Sequence, residues 1–211
     1  MNDDQDIAQT SVRISAAALS IFGLYVVISH LVALTGHEGH TLLDAIAEVS
    51  RNFAVLLGLL SFILFGAIAL GVFSAFPVHE VTAVTIAVSL MGFSYHFLYS
   101  DLSETHGLPI WQDELIHSGL TLFLLIWWVI FVPKADIQFV YLPIYLLLPL
   151  LYSIYAFGRG HVEGIYAYEF MDPRIDGGVT VFLNMIFLTC VNIVISIGFI
   201  LLGVFANSRS G

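Results

Sequence analysis

The strongest constraint on this chain is the recurrence of uninterrupted apolar runs of about 20 residues, the length that crosses a bilayer as a helix. Hydrophobic residues make up 59% of the 211 residues and charged residues only 10%, whereas a soluble domain carries about 25% charged residues. Six runs are long enough to span, over approximately residues 14–34, 52–73, 78–99, 115–132, 139–157 and 179–205. The sequence therefore predicts an integral membrane protein.

The spans are predicted to be helices, because lipid offers no partner to an open backbone group and the apolar residues follow one another instead of alternating. There is neither an internal repeat nor a low-complexity linker, so residues 1–211 should form one domain, an all-α bundle of six transmembrane helices. Pro143 and Pro149 lie inside the fifth run and are expected to bend it.

Composition also excludes some functions. The net charge of −10 argues against nucleic acid as a partner, since phosphate is bound by Lys and Arg. The single cysteine, Cys190, lies in an apolar run, so neither a disulfide framework nor a cysteine metal cluster is expected. The acidic N-terminus lacks the basic segment of a signal peptide, and the first run should remain as a span.

An even number of spans puts both ends of the chain on one side, which we name the terminal face. The opposite side, the histidine-rich face, receives residues 35–51, 100–114 and 158–178. These loops hold eleven of the sixteen acidic residues, and together with the adjoining ends of the spans they hold seven of the eight histidines. These are His30, His37, His40, His96, His106, His117 and His161. A functional site is therefore expected at the histidine-rich face.

The fourth span offers the best candidate residues at this face. Asp113 and Glu114 precede His117 by four and three residues, so both carboxylates should lie near the imidazole on one helix face, and Thr121 continues that stripe. A carboxylate that fixes one ring nitrogen orients the other for proton transfer or metal binding. The alternative is a hydrated helix start, where acidic residues are common.

The second and third spans contribute further candidates. Tyr95 and His96 lie near the end of the third span, and a histidine buried in hydrocarbon should face the bundle and find a partner. Glu48, Ser50 and Asn52 lie at the start of the second span, where Ser50 is the nearest hydroxyl. A charged helix entrance with a local ion pair is the simpler interpretation of that segment.

A metal site is an alternative interpretation of the same histidines. Three imidazoles and a carboxylate suit Zn²⁺, and His30, His96, His117 and Asp113 all belong to the histidine-rich face. Residues 37–40, His-Glu-Gly-His, also look like metal ligands, but Gly36 before them and Gly39 within them favour a solvated loop.

The chain resembles the prokaryotic six-span membrane proteins related to the androgen-induced protein family. The resemblance covers roughly residues 90–190 and depends on Tyr95-His96, His117, Trp127-Trp128, Leu142-Pro143-Ile144-Tyr145, Arg159-Gly160, the run from Tyr166 to Pro173, and Asn184. It implies a prokaryotic cytoplasmic membrane as the location, and the short loops of the terminal face favour cytoplasmic termini. The family's eukaryotic members hydrolyse fatty-acid esters of hydroxy fatty acids with a threonine nucleophile and a histidine.

That histidine corresponds to His117, whereas Glu48 stands where the threonine belongs. We therefore expect a lipid-ester hydrolase without a metal cofactor. His117 would be the general base, oriented by Asp113, and either Ser50 or water activated by Glu48 and His117 would attack the ester. His96 or Asn52 would polarise the carbonyl, and Tyr95 and Thr121 would support the site. The alternatives are a zinc-dependent hydrolase and a non-enzymatic scaffold, either a homo-oligomer or a subunit of a membrane complex.

Overall fold

The computed structural model describes residues 2–35, 41–98 and 108–208, with the side chains of residues 2–5 and 176 left aside. Three of the histidines named above, His37, His40 and His106, lie outside the described residues. The helices are α1 (Asn2–Thr35), α2 (Leu42–Val49), α3 (Phe53–Leu70), α4 (Val78–Leu98), α5 (Ile110–Glu114), α6 (Leu120–Phe131), α7 (Leu142–Glu163) and α8 (Pro173–Ser208). A π-helical turn, Leu115–Gly119, joins α5 to α6, and short 3₁₀ turns precede α7 and α8.

Within the described ranges the chain has no strand, and six helices are long and apolar enough to cross a membrane. They cover Asp6–Thr35, Phe53–Leu70, Val78–Phe97, Ile110–Phe131, Phe139–Glu163 and Gly177–Ser208. The all-α, six-span architecture and the integral membrane class are thus confirmed. The source organism, the kind of membrane and the side that holds the termini stay predictions.

The central element of the bundle is α4. Of its apolar segment 67% is buried within the protein, a larger share than in any other of these spans. Two side chains of α6 donate to it: the Trp128 indole to the Thr82 hydroxyl at 3.0 Å, and the Thr121 hydroxyl to the Val88 backbone carbonyl at 3.1 Å. In a hydrocarbon environment such bonds satisfy groups that lipid cannot.

Helices α1 and α3 pack antiparallel with their backbones in close approach. A Cβ atom added at Gly23 would lie 2.5 Å from the Gly58 carbonyl oxygen, and one added at Gly58 would lie 2.9 Å from Val26. The Ser20 hydroxyl donates to the Phe62 carbonyl at 2.8 Å across the same contact. Small residues at this interface permit the contact, as is common between membrane helices.

Helix α7 begins at the terminal face and differs in two respects from the sequence prediction. Pro143 lies at its first turn, where a missing N–H costs no helical bond, so only Pro149 interrupts the helix. The helix also continues to Glu163, beyond the apolar run, because its last turn makes polar contacts with the α2–α3 corner.

In α8 the backbone of Gly177 leaves helical geometry at φ 82°.

Candidate functional site

A cavity of about 390 Å³ lies between α3, α4, the π-helical turn, α7 and α8, with residues 168–171 at its polar end. Its walls are mostly apolar, formed by Phe53, Leu90, Met91, Leu146, Pro149, Leu150, Ile154, Phe157, Phe170, Met171, Met185 and Leu188. Polar side chains complete the lining: Asn52, Ser94, Tyr95, His117, Tyr152, Ser153, Tyr168, Thr189 and Asn192. Cavities of this kind, apolar with a few polar groups, are typical ligand sites.

His117 lies in the middle of the π-helical turn. An α-helix that started at Ile110 and ran unbroken to Phe131 would have no extra residue here, whereas the wide turn accommodates one and displaces the side chains that follow. Such turns are frequent at functional sites. The imidazole is 12% exposed and forms part of the cavity wall.

The hydrogen bonds of His117 determine its tautomer. Nδ1 lies 3.0 Å from the backbone carbonyl oxygen of Asp113, which can only accept, so Nδ1 carries the proton. The Asp113 carboxylate, itself buried, lies 3.3 Å from the same nitrogen. A neutral imidazole with a protonated Nδ1 has its lone pair on Nε2, which is the form that accepts a proton from a nucleophile.

The plane of the imidazole is set by Tyr95. The two rings stack with centroids 4.2 Å apart and planes within 8° of parallel. Both residues line the cavity, so the third and fourth spans meet there. The Thr121 hydroxyl bonds to the His117 carbonyl at 2.6 Å and to α4, and thereby holds the turn after the histidine.

His96 takes a different position from the one expected. Its side chain is 51% exposed, and Nε2 contacts the Ser118 hydroxyl at 2.8 Å and lies 3.8 Å from Glu114. It does not belong to the residues that line the cavity. The reason is helical geometry, since adjacent residues point about 100° apart and Tyr95 takes the inward direction.

At the start of α3, Asn52 is buried and lines the cavity. Its side-chain oxygen accepts from the Ala54 N–H at 2.8 Å as an N-cap, which leaves the amide NH₂ as the donor end of the side chain. The backbone N–H of Phe53, between these two residues, donates to the Tyr168 hydroxyl at 2.9 Å. Burial raises the pKa of Tyr168, so this phenol stays neutral.

Neither Ser50 nor Glu48 is among the residues that line the cavity. The Ser50 hydroxyl donates to the Ala47 carbonyl at 2.7 Å and accepts from Arg159 at 2.6 Å. Arg159 also binds Glu163, which in turn binds Arg51 at 2.6 Å. Ser50 therefore belongs to a polar corner between α2, α3 and α7, and it is not one of the residues that line the cavity.

The structure does not assemble the histidines for a metal. His30 is buried in α1, where Nδ1 contacts the Val26 carbonyl at 2.9 Å. Among the described residues there is no group of three or more His, Cys, Asp or Glu side chains that could hold a metal ion. Hence His30, His96 and His117 do not form the ligand set that the zinc alternative requires.

Sequence reasoning did not single out three features of this region: Tyr168 as a cavity residue, the partnership of Arg51 and Arg159 with Glu163, and Asn192 in the deep wall. The last could have been found, because an amide within a transmembrane run is a functional-site signal in itself. The other two depend on the path of the chain after α7, which apolar periodicity does not reveal.

No family model, curated protein or solved structure matches the chain. Fold and site together define a six-span integral membrane protein with a histidine in a largely apolar cavity.

Proposed function

We propose that this protein hydrolyses an ester of a membrane lipid, with His117 as the general base. The observation that carries the proposal is the state of the imidazole. Nδ1 is bound to Asp113, the ring is held flat against Tyr95, and the side chain borders a cavity that suits an acyl chain. An oriented base beside a lipid-sized space is what ester hydrolysis within a membrane needs.

The wall formed by α7 supports a lipid as the source of the substrate. Leu150 and Ile154 line the cavity, yet they are 52% and 63% exposed on the outer surface of the bundle. In a transmembrane segment that surface faces lipid. An acyl chain can therefore pass from the bilayer to the cavity between side chains of its own chemistry.

The chemistry uses water as the nucleophile, because Ser50 is bound to Arg159 and lies outside the cavity wall. Nε2 of His117 takes a proton from water as the water oxygen bonds to the acyl carbon. The carbon–oxygen bond to the alcohol then breaks, and the imidazolium returns the proton to the leaving oxygen. The NH₂ of Asn52, which lines the same cavity as His117, polarises the carbonyl as an oxyanion donor.

The test is hydrolysis by purified protein in lipid nanodiscs, with a panel of long-chain acyl esters and detection of the released fatty acid by mass spectrometry. His117→Gln should lower kcat at least a hundredfold, the usual contribution of a general base. His96→Gln is the matched control, one helix away and outside the cavity wall, and should keep turnover within about twofold of the original protein.

Ser50→Ala separates the two nucleophiles. Turnover that survives in this variant supports attack by water, and turnover that disappears assigns the nucleophile to Ser50. Hydrolysis by His117→Gln at the original rate would end the proposal.

Lipid binding without turnover is the second candidate. It is favoured by one observation: among the described residues, no serine or threonine hydroxyl is hydrogen-bonded to the His117 ring. Stoichiometric lipid in the purified protein, together with no release of fatty acid from any ester, would support this candidate and exclude hydrolysis.

A further inference from the structure

Among the described side chains, the cavity wall offers no permanent cation to a charged lipid. Its polar residues are amides, hydroxyls, phenols and one imidazole, that of His117. An anion beside His117 would favour the imidazolium, which has no lone pair left to take a proton from water. A charged ester would therefore oppose the base that the proposed hydrolysis requires.

The arginines of the histidine-rich face are bound to carboxylates of the chain itself. Its loops hold three arginines and eleven acidic residues. Arg51 and Arg159 share Glu163, at 2.6 and 2.7 Å, and Arg174 binds Asp172 at 2.6 Å. The face is thus left with an excess of acidic groups, which repels an anionic headgroup.

The start of α3 is where an anion would otherwise be expected, because the first N–H groups of a helix lack partners within it and bind phosphate readily. Two of these groups are occupied here. The Phe53 N–H donates to the Tyr168 hydroxyl at 2.9 Å, and the Ala54 N–H donates to the Asn52 side chain at 2.8 Å. The helix start is therefore capped by uncharged oxygens of the chain.

Three hydroxyls of the lining are likewise engaged. Ser94, Ser153 and Thr189 each donate to the backbone carbonyl four residues earlier, at 2.8 Å in all three cases. Their protons are used within their own helices. A phosphate in this cavity would lose its water and gain neither an opposite charge nor these donors, and burying an uncompensated ion is costly.

We infer that the lipid ester taken by this cavity carries no ionised group, so that its class is an acylglycerol and not a phospholipid. The same lining excludes an ester that keeps a free carboxylate. Acyl chains suit the apolar wall, and a glycerol hydroxyl can exchange hydrogen bonds with a neutral group such as the Asn52 amide.

This inference rests on the proposal that the ligand is a lipid ester, but binding tests it without turnover. The probes are 1-O-oleylglycerol and its 3-phosphate, ether analogues that cannot be hydrolysed and that differ only in the phosphate. Their affinities are measured by native mass spectrometry on the original protein in detergent, where no bilayer phospholipid competes. We expect the uncharged probe to bind roughly a hundredfold more tightly, because the wall does not compensate the desolvation of the ion.

Ser153→Lys adds a cation to the wall close to the start of α3, since the neighbouring Tyr152 hydroxyl donates to the Arg51 carbonyl at 2.7 Å. This variant should bind the phosphate probe about tenfold more tightly than the original protein does and so narrow the preference. Ser153→Met is the matched control, because its side chain is also long but has no charge, and it should keep the preference.

Equal affinity for the two probes in the original protein, or tighter binding of the phosphate, overturns the inference, and this comparison does not depend on how either variant folds. An unchanged preference in a folded Ser153→Lys overturns it as well, as does failure of the uncharged probe to bind. Absence of ester turnover with the preference intact overturns the proposed hydrolysis alone and supports this inference.

Discussion

Tyr95 and His96 are neighbours on α4 and have different environments. Tyr95 presents its ring to His117 inside the cavity, while His96 contacts Ser118 and lies near Glu114 outside it. An aromatic ring stacked on an imidazole restricts the rotation of both, and this fixes the direction of the imidazole nitrogens. The hydrogen bond to Asp113 then selects the nitrogen that remains available.

A pH dependence is expected from Asp172, which lies outside the spans. Its carboxylate accepts from the Arg174 backbone N–H at 2.9 Å and from the Arg174 guanidinium at 2.6 Å, and Arg174 holds the pKa of Asp172 below its ordinary value of 3.8. A pKa lowered by folding stabilises the folded state above the ordinary pKa, and this stabilisation is lost as the pH falls through the lowered one.

Asp172→Asn should therefore melt a few degrees below the original protein at pH 7, and the difference in Tm should shrink below about pH 4. Thermal unfolding in detergent across this pH range measures it. Asp136→Asn removes the same charge from an exposed position on the terminal face and serves as control. A difference in Tm that stays constant down to pH 3 would contradict the role of the ion pair.

At the scale of elements, the α1–α3 pair predicts a specific sensitivity. Gly23→Ala would place a methyl group 2.5 Å from the Gly58 carbonyl and 2.7 Å from the Phe62 nitrogen, both backbone atoms that cannot rotate away. The helices must separate, at a cost of about 1–3 kcal/mol. We expect Tm in detergent to fall by several degrees.

Gly198→Ala is the matched control, because nothing lies within 4 Å of an added methyl group there. It should be neutral or slightly stabilising, since alanine is the better helix former. Equal Tm values for the two variants would mean that the α1–α3 contact does not limit stability.

The apolar runs predicted the number and type of these elements, because lipid demands long helices and leaves few alternatives. They did not predict the π-helical turn or the early end of α3 at Leu70. Both depend on packing: the turn adjusts the direction of His117 toward Tyr95, and α3 ends where Gly71 adopts φ 70°. A backbone choice of this kind is decided by neighbours that a single sequence does not identify.

For the whole molecule, a network at the histidine-rich face joins the α2–α3 corner to α7. Glu163 binds both Arg51 and Arg159, and Arg159 also donates to the Ala47 carbonyl at 2.8 Å. The hydroxyl of Tyr152, which itself lines the cavity, donates to the Arg51 carbonyl at 2.7 Å. Charge-assisted bonds shared by three side chains hold elements that are distant in sequence.

Glu163→Gln should loosen this corner, because one residue carries the charge that both guanidiniums bind. We expect severalfold faster hydrogen exchange in residues 42–51, measured by mass spectrometry on protein in nanodiscs. Glu80→Gln, an exposed change on α4 at the terminal face, should leave that segment unaffected. Unchanged exchange in Glu163→Gln would show that backbone contacts alone hold the corner.

The candidate site was predicted from the sequence in part. The clustering of polar groups at one face led to His117, Asp113, Tyr95 and Asn52, and the structure brings them together around the cavity. The outward direction of the His96 side chain could not be predicted without knowing how α4 is rotated about its axis. The contact of Ser50 with Arg159 could not be predicted without knowing where α7 lies. These are tertiary facts, and spacing along one chain cannot supply them.

The described side chains that line the cavity include neither lysine nor arginine, and the Asp113 carboxylate lies directly behind His117. A neutral ester meets no electrostatic obstacle on entry. Cleavage by the proposed step would leave a neutral fatty acid, and loss of its carboxyl proton would create an anion in an apolar enclosure near the Asp113 carboxyl group, where an ion is poorly solvated. The acid would therefore ionise on leaving the cavity for water, and the ionised product would not return to a cavity that accepts only the neutral reactant.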